Sequence, residues 1–176
     1  MNHIPQANAD FDELIDVVDQ HDQVIKPMWR SEVVAQNIHY RRVAIAFLRH
    51  PEGKLCFFRR SINKKIEPGL ITLPGGHVQS GESYESAFRR EILEELGISV
   101  DEYTYRFLGK VWAHETWPGN NIKGMYEITV PSYTIEFNPD DFSGYFWAHP
   151  DEFVQSISLK EQTIPGMDYL VKKFYL

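Results

Sequence analysis

Three glutamates at helical spacing are the residues of this sequence best suited to chemistry. Glu91, Glu94 and Glu95 stand at positions i, i+3 and i+4 of a segment whose pattern predicts a helix, so their side chains project within about 100° of one another. Carboxylates at this spacing repel one another and weaken a helix, a cost that a hard divalent cation with oxygen ligands more than offsets. The spacing therefore makes this face a candidate cation-binding site.

The helix that carries these glutamates is predicted over residues 83–96 and ends at Gly97, where a left-handed cap is expected. The apolar positions predicted to face the core lie in another sector of the helix: Phe88, Ile92, Leu93 and Leu96. Arg90 lies within the acidic cluster, where its guanidinium can orient a carboxylate. Glu82 lies just ahead of the helix and can fold back on it.

An acidic face on a surface helix is by itself usually solvated, so the surrounding residues decide the interpretation. Gly76 is followed after five residues by Glu82, and after seven more by the run REILEELGI at residues 90–98. This series resembles, at every fixed position, the signature of the Nudix family: G, five residues, E, seven residues, R-E-U-x-E-E-x-G-U, with U aliphatic. From average residue usage, such agreement is expected by chance on the order of once in a billion starting points.

The resemblance implies both a fold and an activity. The implied fold is an α/β (α+β) Nudix-like α/β/α sandwich with a mixed central sheet, preceded here by an N-terminal β-hairpin. The implied activity is that of a metal-dependent hydrolase that cleaves a diphosphate (pyrophosphate) bond in a nucleoside diphosphate derivative or a similar compound, by attack of a metal-activated water. The implied cofactor is Mg²⁺ or Mn²⁺, which prefers oxygen ligands and neutralises charge in phosphoryl transfer.

Carried over by position, the resemblance also implies roles for particular residues. The implied metal ligands are Glu91, Glu94, Glu95 and a backbone carbonyl of Gly75 or Gly76. The implied catalytic set is Glu82, Arg90, Glu91 and Glu94, in which Arg90 and Glu82 are the pair that fixes the ligands. The general base stays open between Glu91 and Glu94 in the signature and His114 or Glu115 in a later loop.

Candidate substrate-binding residues lie outside the signature: Arg59, Arg60, His114, Glu115 and Trp117. The two arginines end a predicted strand, from which they can reach a phosphate. Trp117 is a candidate platform for a base or another flat group. The other candidates for such a stacking platform are Trp112, Tyr126 and Trp147.

Two other functions remain as alternatives. The run LIDVVDQHDQVI and the segment from Arg30 to Arg41 look like the N-terminal extension of the isopentenyl diphosphate isomerase-like branch of the family. The isomerase uses a cysteine in an N-x-x-C-x-H-P context and a glutamate in a W-G-E-H-E context, and this chain lacks both. Cys56 instead stands inside the apolar run LCFF. His39 is the single residue that resembles a metal-binding histidine of the isomerase. A non-catalytic nucleotide-binding sensor is the other alternative, although such proteins are expected to lose signature glutamates.

The elements that must position the site follow from hydrophobic patterning. Residues 1–10 are predicted to be a loose tail, and residues 11–176 a single Nudix domain, in which residues 11–37 form a hairpin and a short helix and residues 76–98 the signature. Predicted strands cover residues 42–49, 54–59, 70–73, 104–113, 125–130 and 145–148. Predicted helices cover residues 31–36, 83–96, 150–155 and 167–174. Strands and helices alternate without a βαβ rhythm, which favours a mixed sheet.

Composition limits the number of domains, the partners and the cellular location that we expect for the protein. A chain of 176 residues, 43% of them hydrophobic, fits one globular domain. Its net charge of −7 argues against nucleic acid and anionic membranes as partners. One cysteine, no signal-peptide pattern and no long apolar run favour a cytoplasmic location. The expected partner is a small-molecule diphosphate, and the N-terminal hairpin makes a homodimer possible.

Overall fold

The computed structural model describes residues 12–36, 40–112 and 120–176. The predicted tail, His39, His114, Glu115 and Trp117 therefore lie outside the described residues. The strands are β1 (Leu14–Val18), β2 (Val24–Trp29), β3 (Tyr40–Arg49), β4 (Leu55–Arg60), β5 (Ile71–Thr72), β6 (Gly75–His77), β7 (Thr104–Trp112), β8 (Asn121–Thr129) and β9 (Phe142–Ala148). The helices are α1 (Arg30–Gln36), α2 (Tyr84–Leu96), α3 (residues 150–160, with a π-helical turn at Phe153–Ile157) and α4 (Met167–Tyr175).

The strands of the described residues form one mixed sheet centred on β3. Antiparallel neighbours of β3 are β1, β4 and β6, whereas β8 pairs with it in parallel from Arg41↔Asn121 to Arg49↔Thr129. Strand β7 extends the sheet beyond β8, while β5 and β9 flank β4. The predicted mixed sheet with an N-terminal hairpin is confirmed, since β2 and β1 join the sheet through β3.

Helices cover both faces of the sheet because side chains alternate along each strand. On β3, Ala44, Ala46 and Leu48 belong to the core cluster that includes Phe88 and Ile92 of α2. The other face of β3, which carries Ile45 and Phe47, packs in a second cluster. The helices contribute Phe153 of α3 and Leu170 and Val171 of α4 to this cluster. The result is a helix, sheet and helix sandwich, with α2 on one side and α3 and α4 on the other.

One part of the predicted burial pattern of α2 is wrong. Phe88, Ile92 and Leu96 are buried as predicted, but Leu93 is 55% exposed and Glu91 only 8% exposed. The buried stripe runs along positions i, i+3, i+4 and i+8 from Phe88, and Glu91 stands in that stripe. An ion pair with Arg90 allows the carboxylate of Glu91 to occupy this buried position.

Several strand boundaries differ from the prediction near the site. The segment predicted to end a strand at residue 73 continues after a break as β6, which pairs with β3 through Val43↔His77 and Ile45↔Gly75. Strand β8 begins at Asn121, so the predicted loop over residues 114–124 is shorter. Strand β2 runs on to Trp29 at an outer edge of the sheet, where a dimer contact stays a prediction.

In the described part of the chain, no helix combines the length and apolarity required to cross a bilayer.

Candidate active site

The signature folds as a loop, a helix and a loop whose ends are fixed by capping. Ser83 has extended backbone and its hydroxyl accepts a hydrogen bond from the Ser86 N–H at 3.0 Å, which makes it the N-cap of α2. At the other end Gly97 has φ +66° and donates its N–H to the Leu93 carbonyl at 2.9 Å. The predicted cap is confirmed, and both loops are held against a helix of defined length.

Arg90 joins the three segments of the site. Its Nε and Nη2 donate to the two carboxylate oxygens of Glu82 at 3.1 and 3.0 Å, and its Nη1 donates to Glu91 Oε1 at 2.7 Å. Its Nη2 also donates to the His77 carbonyl of β6 at 2.9 Å, and Nη1 lies 3.4 Å from Glu94 Oε2. Burial opposes its charge, but the hydrogen bonds and charges of Glu82 and Glu91 raise the pKa of Arg90. The guanidinium therefore holds Glu82 and Glu91 in place by hydrogen bonds.

Glu91 is confined between this arginine and the backbone of β6. Burial raises the pKa of its carboxyl, and the charge and hydrogen bond of Arg90 oppose that rise. A Cβ added at Gly76 would lie 2.3 Å from Glu91 Oε1 and 2.5 Å from its Cδ. Only a residue without a side chain leaves room at position 76 for this carboxylate.

Glu95 contacts Gly75, the glycine that precedes Gly76 in β6. Its Oε2 accepts a hydrogen bond from the Gly75 N–H at 2.8 Å. Burial raises the pKa of Glu95 to about 8, and the Gly75 N–H opposes that rise. Gly75 itself has φ +136°, and a Cβ there would lie 2.1 Å from the Ala44 carbonyl oxygen, so β3 and β6 approach too closely for any side chain.

These carboxylates have the chemistry that suits a hard divalent cation. Two partly buried acids whose pKa values are raised, Glu91 and Glu95, gain from a nearby positive charge. Glu94 is 59% exposed at its side chain and free to turn towards either. Within residues 12–36, 40–112 and 120–176, no three acidic, histidine or cysteine side chains are already arranged as a complete ligand set.

The raised pKa of Glu95 leads to a prediction about stability. In EDTA the folded chain keeps a proton that the unfolded chain loses above the ordinary carboxyl pKa of 4.5, so this group's contribution to the free energy of unfolding falls as pH rises towards 8. Glutamine does not titrate. We expect the melting temperature of Glu95→Gln relative to wild type to be higher at pH 8 than at pH 5. Thermal unfolding in EDTA at several pH values measures this, and a difference that does not change with pH contradicts it.

The predicted arginine ligands for substrate have protein partners. Arg59 donates to the Gly69 carbonyl at 3.0 Å and pairs with Glu161 at 2.8 Å. Arg60 donates through Nε to the Ile66 carbonyl at 3.2 Å. The two hydrogen bonds to backbone carbonyls hold the loop after β4, and a role of either arginine in phosphate binding stays a prediction.

The described aromatic candidates differ in their surroundings. Tyr126 is buried and stacks on Phe88 with ring centroids 4.4 Å apart, so it belongs to the core. Trp147 donates its Nε1–H to the Tyr133 carbonyl at 2.8 Å. Trp112, at the end of β7, donates its Nε1–H to the Gln20 carbonyl at 3.2 Å and lines a pocket of about 330 Å³ beside Tyr40, so its role as a stacking platform stays a prediction.

A polar pocket beside the N-terminus of α2 was missed by the sequence analysis. Its volume is about 600 Å³, and it is lined by Glu82, the hairpin turn and β7. At its base the buried Asp22, with φ +65°, accepts hydrogen bonds from Arg42 at 2.5 Å and from Lys110. The Tyr84 hydroxyl also donates to Asp22, at 3.3 Å. The run DQHDQ predicted only a turn, because the partners of Asp22 come from strands far along the chain.

Comparison with known proteins identifies the family. A family model described as the NUDIX domain matches residues 39–174. A crystal structure of a protein from Deinococcus radiodurans superimposes with a TM-score of 0.84 at 34% identity, covering 93% of this chain and 100% of that chain. A Nudix hydrolase from Nostoc is 35% identical over 164 residues, covering 93% of this chain and 96% of the relative. An isopentenyl-diphosphate Delta-isomerase from Citrobacter koseri is 31% identical over 120 residues, 64% of each chain.

The fold is therefore the Nudix α/β/α sandwich that the signature implies. The chain belongs to the Nudix hydrolase family, and it is an enzyme of that class. Enzymes of this family use divalent metal ions and act on small-molecule substrates.

Proposed function

We propose that the protein is a Mg²⁺- or Mn²⁺-dependent hydrolase that cleaves the diphosphate bond of a nucleoside diphosphate derivative or a similar compound by attack of water. The observation that carries this proposal is the Arg90 network, which holds Glu82 and Glu91 in place and sets Glu94 and Glu95 beside them. Bound Mg²⁺ or Mn²⁺ supplies charge neutralisation for the phosphates and a more acidic water.

The residues of the chain divide the remaining work. Glu91, Glu94 and Glu95 are the proposed cation ligands, and the carbonyl of Gly75 is the proposed backbone ligand. Arg90 keeps Glu91 oriented, while the loop that carries Glu82 is fixed to α2 by the same guanidinium. The proton of the attacking water is accepted by Glu91 or Glu94 of the cluster, or by His114 or Glu115, which lie outside the described residues.

Product release from a panel of diphosphate compounds tests the proposal. The panel contains nucleoside diphosphates and triphosphates, ADP-ribose, dinucleotide cofactors, coenzyme A and prenyl diphosphates, each with Mg²⁺, Mn²⁺ or EDTA. Release that requires metal and is lost in Glu94→Gln supports the proposal. No release from any compound, in a protein that binds Mn²⁺, overturns it.

Isomerisation of a prenyl diphosphate is the second candidate, favoured by the isomerase relative and by the N-terminal hairpin. The position of Cys56 argues against it. The thiol is fully buried in the core beneath α2, and burial raises its pKa. A catalytic thiol needs contact with substrate, which this position does not provide.

Replacement of this cysteine separates the two functions. We expect Cys56→Ala to keep kcat and KM within about threefold of wild type, because the thiol serves only packing. Its melting temperature falls slightly, since a buried atom is lost. A folded Cys56→Ala protein that loses its activity supports the isomerase instead. The free thiol also agrees with the reducing cytoplasm, where we place the enzyme.

A further inference from the structure

The first strand of the N-terminal hairpin contacts the loop that leads into α2. Strand β1 forms an antiparallel bridge to this loop at Ile15↔Gln79. One residue further on, the Ser80 N–H donates a hydrogen bond to the Leu14 carbonyl at 2.8 Å. The hairpin precedes the signature in the sequence, yet it borders the segment that carries Glu82. This segment, residues 79–82, is called loop 79–82 below.

Asp16 of β1 makes the side-chain contacts to this loop. Its Oδ1 accepts a hydrogen bond from the Ser80 hydroxyl at 2.7 Å, and its Oδ2 accepts one from the Gly81 N–H at 3.0 Å. Asp16 is only 9% exposed and stands between the buried Ile15 and Val17. A carboxylate removed from water destabilises the fold unless its oxygens are hydrogen-bonded. Loop 79–82 supplies a donor to each of the two oxygens.

The same loop delivers Glu82 to the catalytic helix. The Gln79 N–H donates to Glu82 Oε2 at 3.0 Å, and the Glu82 N–H donates to the Gln79 carbonyl at 3.0 Å. Arg90 then donates to both carboxylate oxygens of Glu82 and, through Nη1, to Glu91. Asp16 is thus joined to Glu91 through the loop and Arg90 by hydrogen bonds that are all 3.1 Å or shorter.

We propose that Asp16 is a positioning residue for the active site: it fixes loop 79–82 and thereby holds Glu82, Arg90 and Glu91 in the arrangement that binds the cation. This proposal rests on the proposed function, since it concerns the same carboxylates. Removing an outer contact of a metal ligand typically lowers metal affinity or activity by about tenfold or more. The signature spans residues 76–98, so it does not include this aspartate.

Solvent exchange of the Arg90 Nε–H tests this role without metal or substrate. In EDTA, we expect nuclear magnetic resonance to show exchange at least about tenfold faster in Asp16→Ala than in wild type, because the loop opens more often and releases Glu82. Asp16→Asn is expected to stay within about twofold of wild type. Its Oδ1 can accept from the Gly81 N–H, and its amide can donate to the Ser80 hydroxyl oxygen.

Asp19 offers a matched control in the same hairpin. Its Oδ1 accepts hydrogen bonds from the His21 N–H at 2.8 Å and the Gln23 N–H at 2.9 Å. Asp19→Ala therefore also removes an aspartate that accepts two hydrogen bonds, but both donors belong to the hairpin turn rather than to loop 79–82. We expect exchange of the Arg90 Nε–H in Asp19→Ala to stay within about twofold of wild type.

Metal binding and kinetics provide further measurements. Mn²⁺ affinity, followed by electron paramagnetic resonance, is expected to be about tenfold weaker in Asp16→Ala and within about twofold of wild type in Asp16→Asn and Asp19→Ala. When hydrolysis is observed, we expect Asp16→Ala to lower kcat by about tenfold and to change KM by less than about threefold, because Asp16 does not touch the substrate.

A second variant keeps the test available if Asp16→Ala does not fold. Ser80→Ala removes the hydroxyl donor to Asp16 and leaves the Gly81 N–H bond in place. We expect it to speed exchange of the Arg90 Nε–H by at least about threefold. Exchange within about twofold of wild type in this variant counts against the proposal.

The outcomes separate this proposal from the hydrolase itself. Equal Arg90 exchange in wild type and Asp16→Ala, or an equal increase in Asp19→Ala, overturns the positioning role even if metal-dependent hydrolysis is observed. Asp16→Asn as impaired as Asp16→Ala also overturns it, because the asparagine can keep both hydrogen bonds to the loop. Arg90 exchange that depends on Asp16, in a protein that binds Mn²⁺ but hydrolyses no diphosphate, supports the positioning of Arg90 and overturns the proposed activity.

Discussion

Replacement of Glu94 by glutamine is expected to lower turnover by at least about 10²-fold and to leave the fold intact. Glu94 is 59% exposed at its side chain, and its Oε2 lies 3.4 Å from Nη1 of Arg90. The substitution keeps the shape of the side chain and removes the charge that a cation requires. Turnover with saturating Mg²⁺ measures the first effect, and thermal unfolding in EDTA measures the second.

A matched change at another exposed glutamate shows whether the loss is specific. Glu102 is exposed in the turn that follows α2, and Glu102→Gln removes the same charge away from the cluster. We expect this variant to retain wild-type turnover. Turnover in Glu94→Gln equal to that in Glu102→Gln would refute the assignment of Glu94 to the cation site.

The second large effect is expected from a single added methyl group. Gly76→Ala places a Cβ within 2.3 Å of Glu91 Oε1, and the carboxylate has to leave its position beside Arg90. We expect turnover to fall on the order of 10²-fold, since misplacing a catalytic group by about an ångström has an effect of this size. Steady-state kinetics, together with Mn²⁺ affinity, measure this loss.

The sheet offers a control for this substitution. Gly144 of β9 has no atom within 4 Å of the position that a Cβ would occupy, so Gly144→Ala adds the same methyl group without a contact. It is expected to keep wild-type turnover. Near-normal turnover in Gly76→Ala would show that Glu91 can move without loss, and that its position against β6 is not required.

Both predictions depend on how α2 meets β6. The two glycines of β6 let the strand approach α2 so closely that the Gly75 N–H bonds Glu95 and the Gly76 Cα faces Glu91. Arg90 adds a further contact between α2 and β6, because it donates a hydrogen bond to the His77 carbonyl. The proposed chemistry thus relies on a strand that the hydrophobic pattern did not predict, because a run with two glycines lacks the side chains that indicate a strand.

Local spacing explains why much of the site was predictable. Arg90, Glu91, Glu94 and Glu95 lie within two turns of one helix, and helical geometry places them together whatever the rest of the chain does. The pairing of Arg90 with Glu82 was also expected, since Glu82 lies just ahead of the helix and the loop is short. The caps Ser83 and Gly97 are local for the same reason.

The sequence by itself determined the family, the mixed sheet with its hairpin and the signature helix. Only the tertiary structure decided that Leu93 is exposed while Glu91 is buried. It also decided that Asp22 is buried beside Arg42 and Lys110, where the sequence predicted only a turn. Burial and pairing of this kind depend on strands that are distant along the chain, and no spacing within one segment records which of them will become neighbours.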